Sequence, residues 1–335
     1  MPQNIWGQIR SLNDQGVLAN IISMGIGKRI FLDPLNGNDS NDGTAPTSVL
    51  GSNGGAVSTL AAAYALATAG HNDIIFLVSD GTTGSSARLS ASFTWAKNAT
   101  HLIGYCSPTL FGQRARIATP LVLAATSANT PFMTISANGC MFMNLEYYMG
   151  FSTGQAAQIG ILLTGSQNYF KNCQIAGIAD ALSAADAGSR SLKMNGKENL
   201  FEDCVIGVDT VARGAVANAT LELYGGTTRN VFRRCSFPFF TTASNPLGIL
   251  GTGAACVDRF NVFDMCTFLN AIKSSSVAMT ALLSFTSSTP GGAIIFKDCA
   301  MIGVTKFGDT NGLANSYLDM PAVSGSAGGL MVVPS

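Results

Sequence analysis

A six-residue block recurs down the middle of the chain at nearly constant spacing, and this restricts the fold more than any other feature. The copies are Asn168-Tyr-Phe170-Lys-Asn-Cys173, Asn199-Leu-Phe201-Glu-Asp-Cys204, Asn230-Val-Phe232-Arg-Arg-Cys235 and Asn261-Val-Phe263-Asp-Met-Cys266. A degenerate copy follows at Ile294-Ile-Phe296-Lys-Asp-Cys299, and an eroded one precedes them at Cys140-Met-Phe142-Met-Asn-Leu145. Successive phenylalanines are 28, 31, 31, 31 and 33 residues apart. Self-similarity at this period means a solenoid, a propeller or an array.

Within each copy the next apolar residue lies two beyond the Cys, as in Cys173 and Ile175 or Cys204 and Ile206. That is the strand period, one face in and one face out. The three-residue step from Phe to Cys breaks it and predicts a bend or bulge between two short strands. A second alternating run lies upstream in each period: Gly160-Ile-Leu-Leu-Thr-Gly165, Ser191-Leu-Lys-Met-Asn-Gly196 and Thr220-Leu-Glu-Leu-Tyr-Gly225. No helical period appears, which excludes helical solenoids and leucine-rich horseshoes. A propeller blade needs four strands in roughly 40 to 45 residues, more than one period here provides. One coil of a parallel β-helix fits. Stacking then sets Phe170, Phe201, Phe232, Phe263 and Phe296 on one another, and likewise Cys173, Cys204, Cys235, Cys266 and Cys299, about 4.8 Å apart. Asn before each Phe suits a corner, since it tolerates the left-handed conformation and can bond the Asn stacked above. The expected class is all-β, a right-handed parallel β-helix with an N-terminal helical cap.

Composition agrees: 47% of the residues are apolar, 11% are charged and 37 are glycine. No run of about 18 uncharged apolar residues suggests a membrane span, and Met1 to Arg10 lacks the apolar core of a secretory signal. Lys plus Arg and Asp plus Glu both number 19, which argues against a nucleic-acid partner. Eight cysteines without a CxxC pair read as buried thiols in a reducing compartment, five of them in one stacked register.

The sequence divides into an N-terminal arm (1–28), a β-helix opening with its cap (29–82), the coils (83–310) and a Gly- and Ala-rich tail (311–335). In the arm, Ile5, Trp6, Ile9 and Leu12 could mark one face of a short helix that caps the bottom coil or docks on a partner chain. Next come Gly37-Asn-Asp39-Ser-Asn-Asp42-Gly43-Thr44, Thr59-Leu60-Ala-Ala-Ala63 and Asn72-Asp73-Ile-Ile75-Phe-Leu77. This succession of strand, acidic loop, helix and strand resembles the N-terminal opening of pectate-lyase-like β-helix proteins, where the helix caps the first coil and hides a raw sheet edge. The Asn-x-Phe-x-x-Cys coils, with His101-Leu-Ile-Gly-Tyr-Cys-Ser-Pro and Gln113-Arg-Ala-Arg-Ile117, also resemble structural proteins of tailed bacteriophages.

The first resemblance implies a search for carbohydrate-active constellations. The Asn-x-Asp, Asp-Asp, Gly-His-Gly and Arg-x-Lys set of polygalacturonase-like hydrolases is absent in any usable arrangement, as is a lyase carboxylate cluster at coil spacing. Glu202-Asp203, Arg233-Arg234 and Asp264 are expected to stack as an outward acid–base–acid ladder, a stabilising arrangement of cross-strand pairs. His71 and His101 have no nucleophile nearby in sequence. The loop holding Asp33, Asn36, Asp39 and Asp42 packs oxygen atoms closely enough for Ca²⁺ but lacks a closing Glu; an Asx-turn network is the alternative. No other cofactor is indicated. The expectation is therefore a non-catalytic virion protein, a capsid decoration or auxiliary head protein. It would assemble in the host cytoplasm, dock on capsid through its termini and form a homotrimer, as the phage resemblance implies. The alternatives are a tailspike-type polysaccharide depolymerase, or a glycan-binding β-helix using Tyr147, Tyr148, Tyr224 or Phe239 and Phe240 to stack sugars.

Overall fold

A computed structural model describes residues 27–46, 53–121, 130–150, 157–270, 275–318 and 331–332; Ile5, Trp6, Ile9 and Leu12 lie outside them. The chain winds through three parallel sheets in strict rotation, giving an all-β right-handed solenoid of about seven turns. The first sheet has eleven strands, from Arg29–Leu32 through Ser316–Leu318 to Met331–Val332, the last of which pairs antiparallel. The second runs over eight strands from Ala87–Arg88 to Ala300–Ile302, and the third over eight from Phe93–Trp95 to Val304–Gly308. The first sheet thus continues past residue 310, into the stretch read from sequence as tail, through Ser316–Leu318 on Ala293–Lys297.

The break between Phe and Cys is a single left-handed residue. Asn172, Asp203, Arg234, Met265 and Asp298 have φ between 51° and 54°, and this one residue turns the chain from first sheet to second. Its insertion resets the alternation, so Phe and Cys, three apart, both face inward. Asn and Asp take this conformation cheaply, whereas Arg234 and Met265 hold it at a cost of about 1–2 kcal/mol each. The second corner corrects the sequence reading. The left-handed residues there are Gln167, Glu198 and Arg229, each just before the Asn. The asparagines themselves are buried and form a ladder: Asn168, Asn199 and Asn230 each donate a backbone N–H to the side-chain oxygen of the Asn one coil on, at 2.9–3.1 Å. Their side-chain amides return a bond to Ala137, Gly165 and Gly196 carbonyls, respectively.

Five successive ring pairs from Phe142 to Phe296 stack with centroids 4.6–4.9 Å apart and planes within 17°. Isolated aromatic pairs favour offset or edge-on contact; here the strand spacing imposes near-parallel stacking. The eight cysteines are free thiols. Cys173, Cys204, Cys235, Cys266 and Cys299 each aim Sγ at the carbonyl of the Phe one coil back, at 3.3–3.5 Å. They are therefore weak donors as well as small hydrophobes, and burial pushes thiols such as Cys173 and Cys235 above the ordinary range.

Helix α1 (Leu60–Leu66) closes the N-terminal end, burying Leu60 and Ala63. Thr59 caps its start through Ala62 N, and Asp39 in turn accepts bonds from Ser58 and Thr59. Lys97 donates to the free carbonyls of Tyr64 and Ala67 at its other end, where a cation is favoured. The Tyr64 ring lies 4.7 Å from Trp95 and its hydroxyl accepts from Ala96 N and Lys97 N. The helix is thus keyed to the first coil by polar and apolar contacts together. Among the described residues no helix is long and apolar enough to cross a membrane.

Candidate functional site

Among the columns that period-2 alternation turns outward on the first sheet, one carries most of the charge. In register, it reads Phe31, Phe76, Ile103, Met143, Lys171, Glu202, Arg233, Asp264 and Lys297. Its N-terminal half is aromatic and aliphatic; its C-terminal half alternates in charge. Phe76, Ile103 and Met143 are buried as a small cluster packed with Phe31, whereas the charged half is more open.

The apolar half floors a trough of about 720 Å³ walled by Pro46, Tyr105, Cys106 and Ser107. Phe31 and Phe76 stack on its floor, 5.4 Å apart with planes 22° from parallel. Tyr105 stands 68% exposed at the rim, an aromatic face open to a ligand. His101, on the same strand, is covered and outside the trough's lining. Its Nδ1 accepts Met141 N–H at 3.1 Å, and its Nε2 is 3.3 Å from Asn72 Oδ1. Burial pushes its pKa down to about 4, against a smaller upward pull from Asp73. His71 is exposed on a turn.

The charged half gathers around two carboxylates that the bend brings side by side. Glu202 accepts from Tyr169 Oη at 2.7 Å and from Arg234 Nη2 at 2.8 Å. Asp203 accepts from Lys171 Nζ and Arg234 Nε, both at 2.7 Å. Lys171 also lies 3.3 Å from Glu202, so one ammonium and one guanidinium bridge the pair. Arg233 leans to Asp264, which Lys297 also reaches. Burial alone would raise both carboxylates. For Glu202 the Tyr169 hydroxyl, Lys171 and Arg234 outweigh it; for Asp203, Arg234 and Lys171 do. Both are held ionised below the usual carboxylate range. The Asp203 side chain is 33% exposed against 10% for Glu202, so Asp203 is the one a ligand can reach.

Glu202, Asp203, Arg233, Arg234 and Asp264 are visible in the repeat, and Lys171 and Lys297 share its repeat position with Glu202 and Asp264; Tyr169 stands in the neighbouring column, in register with Leu200, and carries no such signal. The trough carried no such signal, because the coils that build it lie before the regular repeat begins. Of the aromatics considered for sugar stacking, Tyr147, Phe239 and Phe240 are core residues. Tyr148 and Tyr224 are half-exposed on other faces, the latter under Lys193. The acidic loop spends its carboxylates locally. Asp33 accepts from Leu35 N and from both the backbone and side chain of Asn36, Asp39 holds the start of α1, and Asp42 accepts from Thr44. Among the described residues no group of three or more His, Cys, Asp or Glu could hold a metal ion, and the carboxylates of this loop are engaged in Asx-turn and capping bonds.

The fold is a right-handed parallel β-helix, and solved structures share it. A pectin methylesterase in complex with hexasaccharide VII superposes with a TM-score of 0.55 at 16% identity, over 84% of this chain and 89% of that one. Pectin methylesterase PemA from Erwinia chrysanthemi gives 0.55 at 15% identity, over 89% and 90%. A structure titled Geobacillus virus E2 - ORF18 reaches only 0.40, too distant to argue from. No model of a protein family and no curated protein matches the chain. These likenesses establish the fold. They also overturn the expectation that the chain is not an enzyme, because the scaffold is one on which pectin methylesterases work. Missing hydrolase and lyase signatures therefore do not exclude catalysis.

Proposed function

We propose that this chain acts on a polysaccharide laid along the outer face of the first sheet, in the manner of a tailspike-type depolymerase or a glycan-binding β-helix. The observation that carries the reading is the unbroken column from Phe31 to Lys297, which joins an aromatic trough to a pair of ionised carboxylates. Sugar rings stack on aromatic faces through their C–H surfaces; Tyr105 at the rim offers such a face, and Phe76, buried and stacked on Phe31, supports the floor beneath it. Asp203, ionised and reachable, is the group that would serve as nucleophile or general base. Lys171 and Arg234 would stabilise negative charge developing beside it. A structure of this fold holding a hexasaccharide supports the reading.

The test incubates the full chain with a panel of neutral and acidic polysaccharides. Three products are followed: reducing ends for hydrolysis, ultraviolet absorbance of unsaturated sugars for lyase cleavage, and methanol for ester hydrolysis. One of them is expected, lost in Asp203→Asn and weakened in Phe76→Ala. No product and no retention in affinity electrophoresis with any member of the panel would overturn it.

A second reading concerns assembly. Leu200, Val231, Val262 and Ile295 form a half-exposed apolar column on the same face, which favours packing against further copies as a virion-borne homotrimer. Light scattering giving three times 34.7 kDa supports this; a monomer at high concentration refutes it.

A further inference from the structure

A second hollow, of about 300 Å³, lies on the outer face of the second sheet. Three successive rungs build it: Arg88, Ala118 and Tyr148 stand in register on one outward column. Arg88 and Tyr148 line the hollow with Thr119, Pro120 and Leu121, while Ala118 between them is fully buried. Leu121, 77% exposed, forms an apolar wall.

The cleft holds a guanidinium, Arg88, and at its rim a carboxylate, Asp180. Arg88 donates Nη1 to Thr119 O at 2.7 Å and Nη2 to Thr83 O at 3.2 Å, so two backbone carbonyls hold its fork in one orientation. No carboxylate among the described residues lies within ion-pair distance of it. A second guanidinium, Arg116, sits 5.5 Å from the centre of the Tyr148 ring with its charge matched by Glu146 at 2.7 Å. Burial, and then Arg116, both disfavour the charged form of Arg88. The rim carboxylate, Asp180, caps helix α2 (Ala181–Ala184) through Leu182 N and Ser183 N. A fixed, unmatched guanidinium over an aromatic and aliphatic wall is a receptor for a planar oxyanion.

We propose that the Arg88–Tyr148 cleft binds a sugar carboxylate, with Arg88 taking the anion and Tyr148 and Leu121 packing on the ring. The carrier of that carboxylate would be an acidic polysaccharide; this part rests on the function proposed above, while the anion chemistry does not. The saccharide would then touch the second sheet as well as the first.

The experiment titrates the full chain calorimetrically with D-glucuronate, using D-glucose as the neutral control. Glucuronate is expected to bind, more weakly as salt rises, and glucose is not. Arg88→Gln should weaken glucuronate binding about tenfold or more, the loss of a charge-assisted bond. Because that change also frees the Thr83 and Thr119 carbonyls, Leu121→Glu provides a second variant at an exposed position; its like charge should abolish binding without moving the melting temperature. The polysaccharide panel reads the first sheet and the glucuronate titration reads the cleft, so failure of the carboxylate site and failure of the first-sheet reading register separately. Equal binding of glucose and glucuronate, or unchanged affinity in a folded Arg88→Gln or Leu121→Glu chain, would overturn the proposal.

Discussion

His101 makes the stability of this β-helix depend on pH in a way that can be worked from its surroundings. The ring is 4% exposed, and its Nδ1 must stay unprotonated to accept Met141 N–H. Charging it in place would desolvate an imidazolium and break that bond, which is why burial pushes its pKa down from 6.5 to about 4. Between those two values the unfolded chain binds more protons than the folded one, so stability rises with pH. The contribution is complete above pH 6.5 and is lost as pH falls towards 4. At about 1.4 kcal/mol per pKa unit, the full span is worth ~3 kcal/mol and the part lost by pH 4.5 is ~2.5 kcal/mol. The assay is urea unfolding at pH 7.5 and 4.5 for wild type and His101→Gln. Ionised carboxylates such as Glu202 and Asp203 also lose stability in acid, but equally in both proteins, so the difference of differences isolates the imidazole. Wild type should lose ~2.5 kcal/mol more than the variant. Equal losses, or a His101 imidazole resonance titrating near pH 6.5, would refute the account.

The columns of the core yield three further expectations. Asn199→Ala removes the acceptor of Asn168 N–H and the donor to Gly165 O, both buried, so unfolding free energy should fall by about 2–4 kcal/mol; less than 1 kcal/mol in urea melts would mean that water replaces the rung. Phe232→Ala opens a gap between Phe201 and Phe263 and should cost about 3–5 kcal/mol, read as a lower melting temperature with unchanged β-sheet circular dichroism. Cys235→Ala should cost about 1–2 kcal/mol, combining a lost methyl-sized volume with a weak hydrogen bond to Phe201 O. If the alanine chain is as stable as wild type, the thiol donor contributes nothing.

Periodicity made the solenoid legible before any coordinate. A 31-residue repeat with Phe, Cys and Asn at constant offsets must stack like on like, because each coil is displaced from the last by one strand spacing. The Phe column, the Cys column and much of the charged column are therefore readable from the chain alone, and the three-residue step already announced a bend. Side-chain direction at the corners was not, because a single left-handed residue can sit on either side of the Asn without altering the spacing. Nor did the repeat say that the thiols donate to carbonyls, a consequence of where the bend aims them.

What only the tertiary structure decided lies mostly outside the repeat. Phe31, Phe76, Ile103 and Met143 come from coils of unequal length, so no constant offset relates them, and their alignment into one trough is set by strand register across long loops. The same holds for Arg88 and Tyr148, which line one cleft because the register sets them on the same column, each one rung from Ala118. Alternation within a strand tells which face a side chain takes. Which residue of the next coil lies beside it depends on how much chain the intervening loop absorbs, and that is settled only when the coils are stacked.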